Sequence, residues 1–217
     1  DLGLLQNKIQ LGVDFFTSES YDLLLNRDIS EVYGSKMYYD NTGKISGKGM
    51  EVSLRVNPIH TKDFDLVIAA NMATVKNEVK SLGGDPSITT SYKAFNNDDA
   101  QTIMTVGGKP YEFYGYKTNG IYATSAEAAE AGLVNANGKA YQAGDVRFVD
   151  VSGPDGTPDG VINEYDKVSL GSTMPTLFGG LNLMVRYREW SLSANFGYTV
   201  GNKIYNATRR QLESMTD

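Results

Sequence analysis

The sequence predicts an all-β fold, an antiparallel up-and-down meander, and three observations carry this. Five stretches alternate apolar and polar residues with a period of two, the repeat of a strand that buries one face. Only one short stretch carries helix signals. The connections between the alternating stretches run long, short, long, short. In an antiparallel sheet this puts every short turn at one end and every long loop at the other.

The first strand is expected near residues 7–25. Ile9, Leu11, Val13 and Phe15 share one face, while Lys8, Gln10, Gly12 and Asp14 share the other. Residues 26–44 are polar, carry the turn residues Gly34, Asp40, Asn41 and Gly43, and are expected to form a loop. The second strand, 45–57, sets Met50, Val52, Leu54 and Val56 against Glu51, Ser53, Arg55 and Asn57. A short turn through Pro58 leads to a third strand near 64–80, with Phe64, Leu66, Ile68, Ala70 and Met72 in step.

Residues 81–175 are too many for a plain connection, so this long loop should carry its own structure or function. Tyr111, Tyr114, Tyr116 and Tyr122 lie in an aromatic, glycine-punctuated part of it. These four are candidates for stacking on a ligand or packing against a partner; the other reading is that they hold the loop together. Thr124 and Glu127 form a capping box, and Gly132 closes the one short helix candidate. The last two strands, 176–187 and 190–205, form a hairpin with a very tight turn at Arg188 and Glu189. Leu181, Leu183, Val185 and Tyr187 continue into Trp190, Leu192, Ala194, Phe196 and Tyr198.

Short turns at one end, long loops at the other and strands apolar on one face are the signature of a transmembrane β-barrel. A soluble β-sandwich binding module has the same alternation. Exposure separates the two. In a sandwich a second sheet covers Leu181, Leu183, Val185 and Trp190; in a barrel segment they form an open band.

Composition removes several functions. The net charge of −6 argues against nucleic-acid binding. With no cysteine there is neither a disulfide framework nor a thiolate metal site. His60, the only histidine, lies in a turn-like segment, which disfavours Ser-His-Asp catalysis and two-histidine metal sites. Carboxylates are so plentiful that their spacing gives no support to a paired-carboxylate glycosidase. No apolar run approaches the ~20 residues of a transmembrane helix. The chain begins at Asp1 and runs almost directly into a strand pattern, as expected for a segment of a longer protein.

The chemistry is concentrated between Asp145 and Asp166, where six carboxylates face a single base, Arg147. Within a twelve-residue window, Asp155, Thr157, Asp159, Val161, Asn163 and Asp166 fall at positions 1, 3, 5, 7, 9 and 12, and Gly160 at 6. This is the spacing of a calcium loop, in which alternate side chains and one carbonyl supply hard oxygen ligands. Position 12 is Asp and not the usual Glu, which shortens its reach. A second register places Asp150 and Ser152 as the first two ligands, with Asp159, Asn163 and Asp166 serving in both. The metal-free reading is a turn cluster rich in Asp, Gly and Pro.

Several motifs in order resemble one family. They are residues 1–5 (DLGLL) running into 7–16 (NKIQLGVDFF), 47–54 (GKGMEVSL), 115–122 (GYKTNGIY), 144–150 (GDVRFVD), 159–163 (DGVIN), 175–187 (PTLFGGLNLMVRY) and 201–206 (GNKIYN). Together they resemble the SusC/RagA-type TonB-dependent outer-membrane receptors. The resemblance implies a late segment of the receptor barrel in the cell outer membrane, with residues 81–175 as an external loop. It further implies import of oligosaccharides or peptides, a SusD-like surface lipoprotein as partner, TonB coupling through a part of the receptor outside this chain, and outer-membrane lipid around the strands. A structural calcium in loop 150–166 fits the same family.

Overall fold

The computed structural model describes residues 1–28, 37–93 and 99–213. In chain order the elements are β1 (Leu2–Leu4), β2 (Ile9–Asp28), β3 (Met37–His60), β4 (Phe64–Leu82), β5 (Ser87–Lys93), β6 (Asp99–Thr105), β7 (Glu112–Tyr116) and β8 (Thr118–Ile121). Then come α1 (Ser125–Ala131), β9 (Val134–Asn135), β10 (Val146–Phe148), β11 (Val161–Ile162), β12 (Lys167–Ser172), β13 (Leu177–Tyr187), β14 (Trp190–Val200) and α2 (Ala207–Glu213).

The chain divides into two units. The first comprises Asp1–Ile88, Met104–Tyr111 and Ser172–Ile204. It is built on a six-stranded sheet ordered β1-β2-β3-β4-β13-β14, with every neighbouring pair antiparallel. Strands adjacent in space are adjacent in sequence once the long insertion between β4 and β13 is set aside.

The register aligns the apolar residues into rows across this sheet. Leu11, Leu54, Ala70, Leu181 and Phe196 form one row. Phe15, Met50, Thr74, Leu177 and Val200 form another, nearer the long-connection end. Phe64, Tyr187 and Trp190 close the band at the short-turn end. The intervening rows point to the opposite face and are polar: Gln10, Arg55, Ala69, Asn182 and Asn195 lie side by side. The polar face carries a 650 Å³ hollow lined by Gln10, Ser53, Arg55, Asn71, Asn182 and Asn195.

The apolar face is open. Trp190 is 80% and Leu192 67% exposed; Leu181 is exposed, and Leu183 and Val185 are half-buried by their neighbours in the sheet. The β-sandwich alternative needed a second sheet over this face and is overturned. β13 and β14 are 11 residues each, the length of strand that crosses a bilayer at a tilt.

Strand boundaries differ from expectation at the long-connection end. The predicted loop at 26–44 is largely strand, because β2 runs on to Asp28 and β3 begins at Met37; Gly34 lies outside the described residues. Two forces extend these strands. Leu25 is buried with Val79, Leu82 and Met104 in a small core that Ile45 and Ile88 flank. Arg27 ties three strand ends together through Asp40 (2.9 Å), Asp85 (2.5 Å) and the Leu82 carbonyl (2.5 Å). The last strand stops at Val200, short of the expected 205, where Gly201 takes φ +89° and the Lys203 N–H turns away to the Ser172 carbonyl.

The second unit comprises Thr89–Ile103, Glu112–Gly171 and the chain from Tyr205. It holds most of a four-stranded sheet ordered β12-β7-β6-β5, an antiparallel β8–β10 pair and a parallel β9–β11 pair. Helix α1 begins as its sequence dictates. The Thr124 hydroxyl accepts the Glu127 N–H (3.2 Å), the Glu127 carboxylate accepts the Ala123 N–H (2.9 Å), and Gly132 caps the end at φ +66°.

Candidate functional site

The chemistry-bearing residues of the second unit are gathered around Asp166, which is fully buried. A one-turn 3-10 helix over Glu164–Asp166 places it there. The Asn163 side chain accepts the Tyr165 N–H (2.9 Å), and Asp166 reaches back to the Asn163 N–H (2.8 Å). The other Asp166 oxygen accepts the N–H groups of Val151 (2.7 Å) and Ser152 (3.2 Å). Burial disfavours the charge, but those three N–H donors hold the carboxyl below its ordinary pKa.

Asp150 is the second anchor. One oxygen accepts the Gly160 N–H at 2.6 Å; the other is buried without a hydrogen-bond partner. The Asp159 carboxylate lies against Gly153, 2.7 Å from where a Cβ would stand, so glycine permits this approach. It also accepts the Val161 N–H (2.9 Å).

Asp155 and Thr157 are placed differently. Both are exposed, and they satisfy each other: Asp155 accepts the Thr157 N–H (3.1 Å) and hydroxyl (2.9 Å), which lowers its pKa. The Val161 carbonyl accepts the Asn163 amide at 3.2 Å. The structure therefore joins Ser152, Asn163 and Asp166 through one set of hydrogen bonds, holds Asp150 on the Gly160 N–H and Asp159 against Gly153, and leaves Asp155 and Thr157 in a separate turn. Asp150, which leads one register, has a buried carboxylate oxygen without a hydrogen-bond partner, whereas Asp155, which leads the other, is exposed. Among the described residues, no three Asp, Glu or His side chains converge as a ready metal cage. Such a site would lean on Ser152 and Asn163 oxygens as well as carboxylates.

The four tyrosines part company. Tyr122 is 1% exposed, and its ring packs near Tyr141 (6.2 Å) under the Arg147 guanidinium (5.0 Å). Its burial fits the reading in which these rings hold the loop together. Tyr116 packs edge-on to Phe148 (5.6 Å), and its hydroxyl donates to Glu164 (3.4 Å). Burial, and next the Glu164 charge, raise its pKa. Tyr114 is half-buried in the β6–β7 ladder. Tyr111 is exposed, with φ +54° and a carbonyl that accepts the Thr173 hydroxyl (2.9 Å).

Sequence reasoning missed Tyr141, Phe148 and Lys167. Tyr141 and Phe148 join Tyr116 and Tyr122 in one aromatic chain. Lys167 lies over Tyr116 (5.5 Å) and pairs with Glu164 (2.7 Å). The alternation in 144–150 was a usable signal for Phe148; nothing local marked Tyr141.

No protein-family model matches the chain. It is 29% identical over 216 residues to TonB-dependent receptor P3 of Formosa agariphila, covering 99% of this chain and 21% of that one. It is 26% identical over 208 residues to TonB-dependent receptor SusC of Bacteroides thetaiotaomicron, covering 94% and 19%. Among solved structures it is similar to the RagAB peptide transporter, with a TM-score of 0.68 and 22% identity over 92% of this chain and 20% of that one. The chain thus spans about a fifth of the length of the curated relatives it matches.

Proposed function

We propose, on the premise that the chain is a segment of a SusC-like TonB-dependent receptor, that it supplies wall strands and external loop to an outer-membrane importer of oligosaccharides or peptides. The observation that carries this is the open apolar band across β2, β3, β4, β13 and β14, backed by a polar, hollowed face. A lipid-facing wall needs this division of faces, and a water-filled or plugged lumen needs the polar side. The chain's part is to bind and position; transport and not catalysis is its work.

A SusD-like lipoprotein is the proposed partner at the long-connection end, and TonB acts through parts of the receptor outside this chain. The peptide arm of the substrate proposal leans on RagAB, described as a peptide transporter. Calcium is the proposed structural ion of the loop, held by Asp150, Ser152, Asp159, Asn163 and Asp166. Its support is the unpartnered, buried Asp150 oxygen beside a second carboxylate. It would supply positive charge between carboxylates that otherwise repel. The transport reading is tested by deleting the receptor gene and following uptake of labelled oligosaccharide and peptide pools. Loss of at least one class, restored by the intact gene, is expected; unchanged uptake of both pools sinks it.

A further inference from the structure

Immediately beyond the apolar band, at the long-connection end, the register sets Thr17, Lys48 and Lys76 side by side in one row. The alternation from Met50 and Thr74 is unbroken there, so both lysines point to the same face as the band. Both are exposed. Like charges directly opposite on one sheet face repel, and among the described residues neither lysine has a carboxylate within ion-pairing distance.

The nearest acids are engaged elsewhere. Glu78, one row further on, pairs with Lys80 at 2.6 Å, and Glu19 in the same row pairs with Lys44 at 3.3 Å. Glu78 also interacts through space with Lys76 and Lys48, but its close partner is Lys80. A pair of cations without a close ion pair of their own is left on the rim of an apolar surface, with Phe15 and Met50 directly beneath.

We infer that Lys48 and Lys76 bind the phosphorylated headgroup of a membrane lipid at the outer rim of the bilayer. The inference rests on the wall reading above. Charge complementarity selects the anion, and continuity with the apolar band selects a lipid over a soluble anion. A lipid docked along Phe15 and Met50 brings its phosphate to the level of the two ammonium groups. A free phosphate gains nothing from the apolar rows.

The test uses the complete receptor in phosphatidylcholine nanodiscs doped with diphosphoryl lipid A, or with the same lipid lacking its phosphates. Retained lipid is read by native mass spectrometry. Quenching of Trp190 by brominated acyl chains is read in parallel, in a receptor whose other tryptophans are replaced. Expected are preferential retention of the diphosphoryl form and its roughly twenty-five-fold weakening in Lys48→Gln/Lys76→Gln, at about one fivefold step per lysine. Quenching of Trp190 should be unchanged. Trp190 quenched while the double variant retains the lipid as before overturns this inference and leaves the wall reading standing. Trp190 unquenched in every disc overturns the wall reading, and this inference with it.

Discussion

The Asp150 carboxylate accepts the backbone N–H of Gly160 at 2.6 Å and keeps its second oxygen buried and unpartnered. On the calcium proposal, this contact favours the register led by Asp150. A loop led by Asp155 would leave Asp150 as a bystander, and Asp155 is exposed, with one oxygen accepting from Thr157. Asp150→Asn is therefore expected to abolish calcium binding, and Asp155→Asn to leave it near wild type. Titration calorimetry and thermal unfolding of the intact receptor check this. At calcium a hundredfold above its dissociation constant, the ion should add about 2.7 kcal/mol to loop stability. The reverse ranking of the two variants would restore the Asp155 register; equal binding by wild type and both variants would remove the ion from this loop.

Asp166 makes the loop acid-sensitive in a defined direction. Its folded pKa is depressed, so its contribution is present above the ordinary Asp value and lost as pH falls through the lowered folded value. Loop 112–171 should resist pepsin at about pH 5 and be cut as the pH drops well below about 3.9. Asp166→Asn turns an amide NH2 or a single carbonyl toward three N–H donors and should cost about 2–3 kcal/mol at neutral pH. Its pepsin susceptibility should then barely change with pH. An unaltered acid profile in the variant would show that another group controls the loop.

The wall was legible in the sequence because it is governed by period two over long runs. Leu181, Leu183 and Val185 align with Ala70, Ile68 and Leu66 without a break, and the tight turn at Arg188 and Glu189 fixes the hairpin register. The strand extension through Leu25 was not legible. Shifts in register between Ser20 and Leu25 break the alternation there, and the core that buries Leu25 includes Met104, distant in sequence. β5 and β6 were hidden for a related reason: they are short and polar, and only their neighbours in the sheet make them strands. In the loop, the acidic residues were visible but their grouping was not. Local spacing favours Asp155, whereas the proposed choice of Asp150 rests on the Gly160 N–H and on burial, which spacing does not report.

Helix α1 was fully written in its ends, and its ends are what a substitution should disturb. Thr124→Ala removes the acceptor for the Glu127 N–H and should cost about 1 kcal/mol. Gly132→Ala imposes a side chain at φ +66° and should cost a similar ~1 kcal/mol. Hydrogen exchange of the amides in Ser125–Ala131 should accelerate roughly fivefold in either variant, with the β8–β10 pair unaffected. Exchange unchanged in both would mean that tertiary packing, and not capping, holds this helix.

Neighbouring residues on β14 should respond in opposite ways to the same charge. Phe196 faces out in the middle of the apolar band, opposite Leu181; Asn195 faces the polar side, opposite Asn182, whose amide donates to it at 2.5 Å. Arginine at a lipid-facing position near the bilayer midplane costs about 2–4 kcal/mol, whereas a polar lumen tolerates it. Phe196→Arg should therefore sharply reduce the folded receptor recovered from outer membranes, read as the heat-modifiable band on a gel. Asn195→Arg should lose only the amide contact and assemble near normally. The contrast turns chiefly on the face, since the two positions are neighbours on one strand. Equal assembly of the two variants would mean that the apolar face meets protein and not lipid, and the wall reading would fall with it.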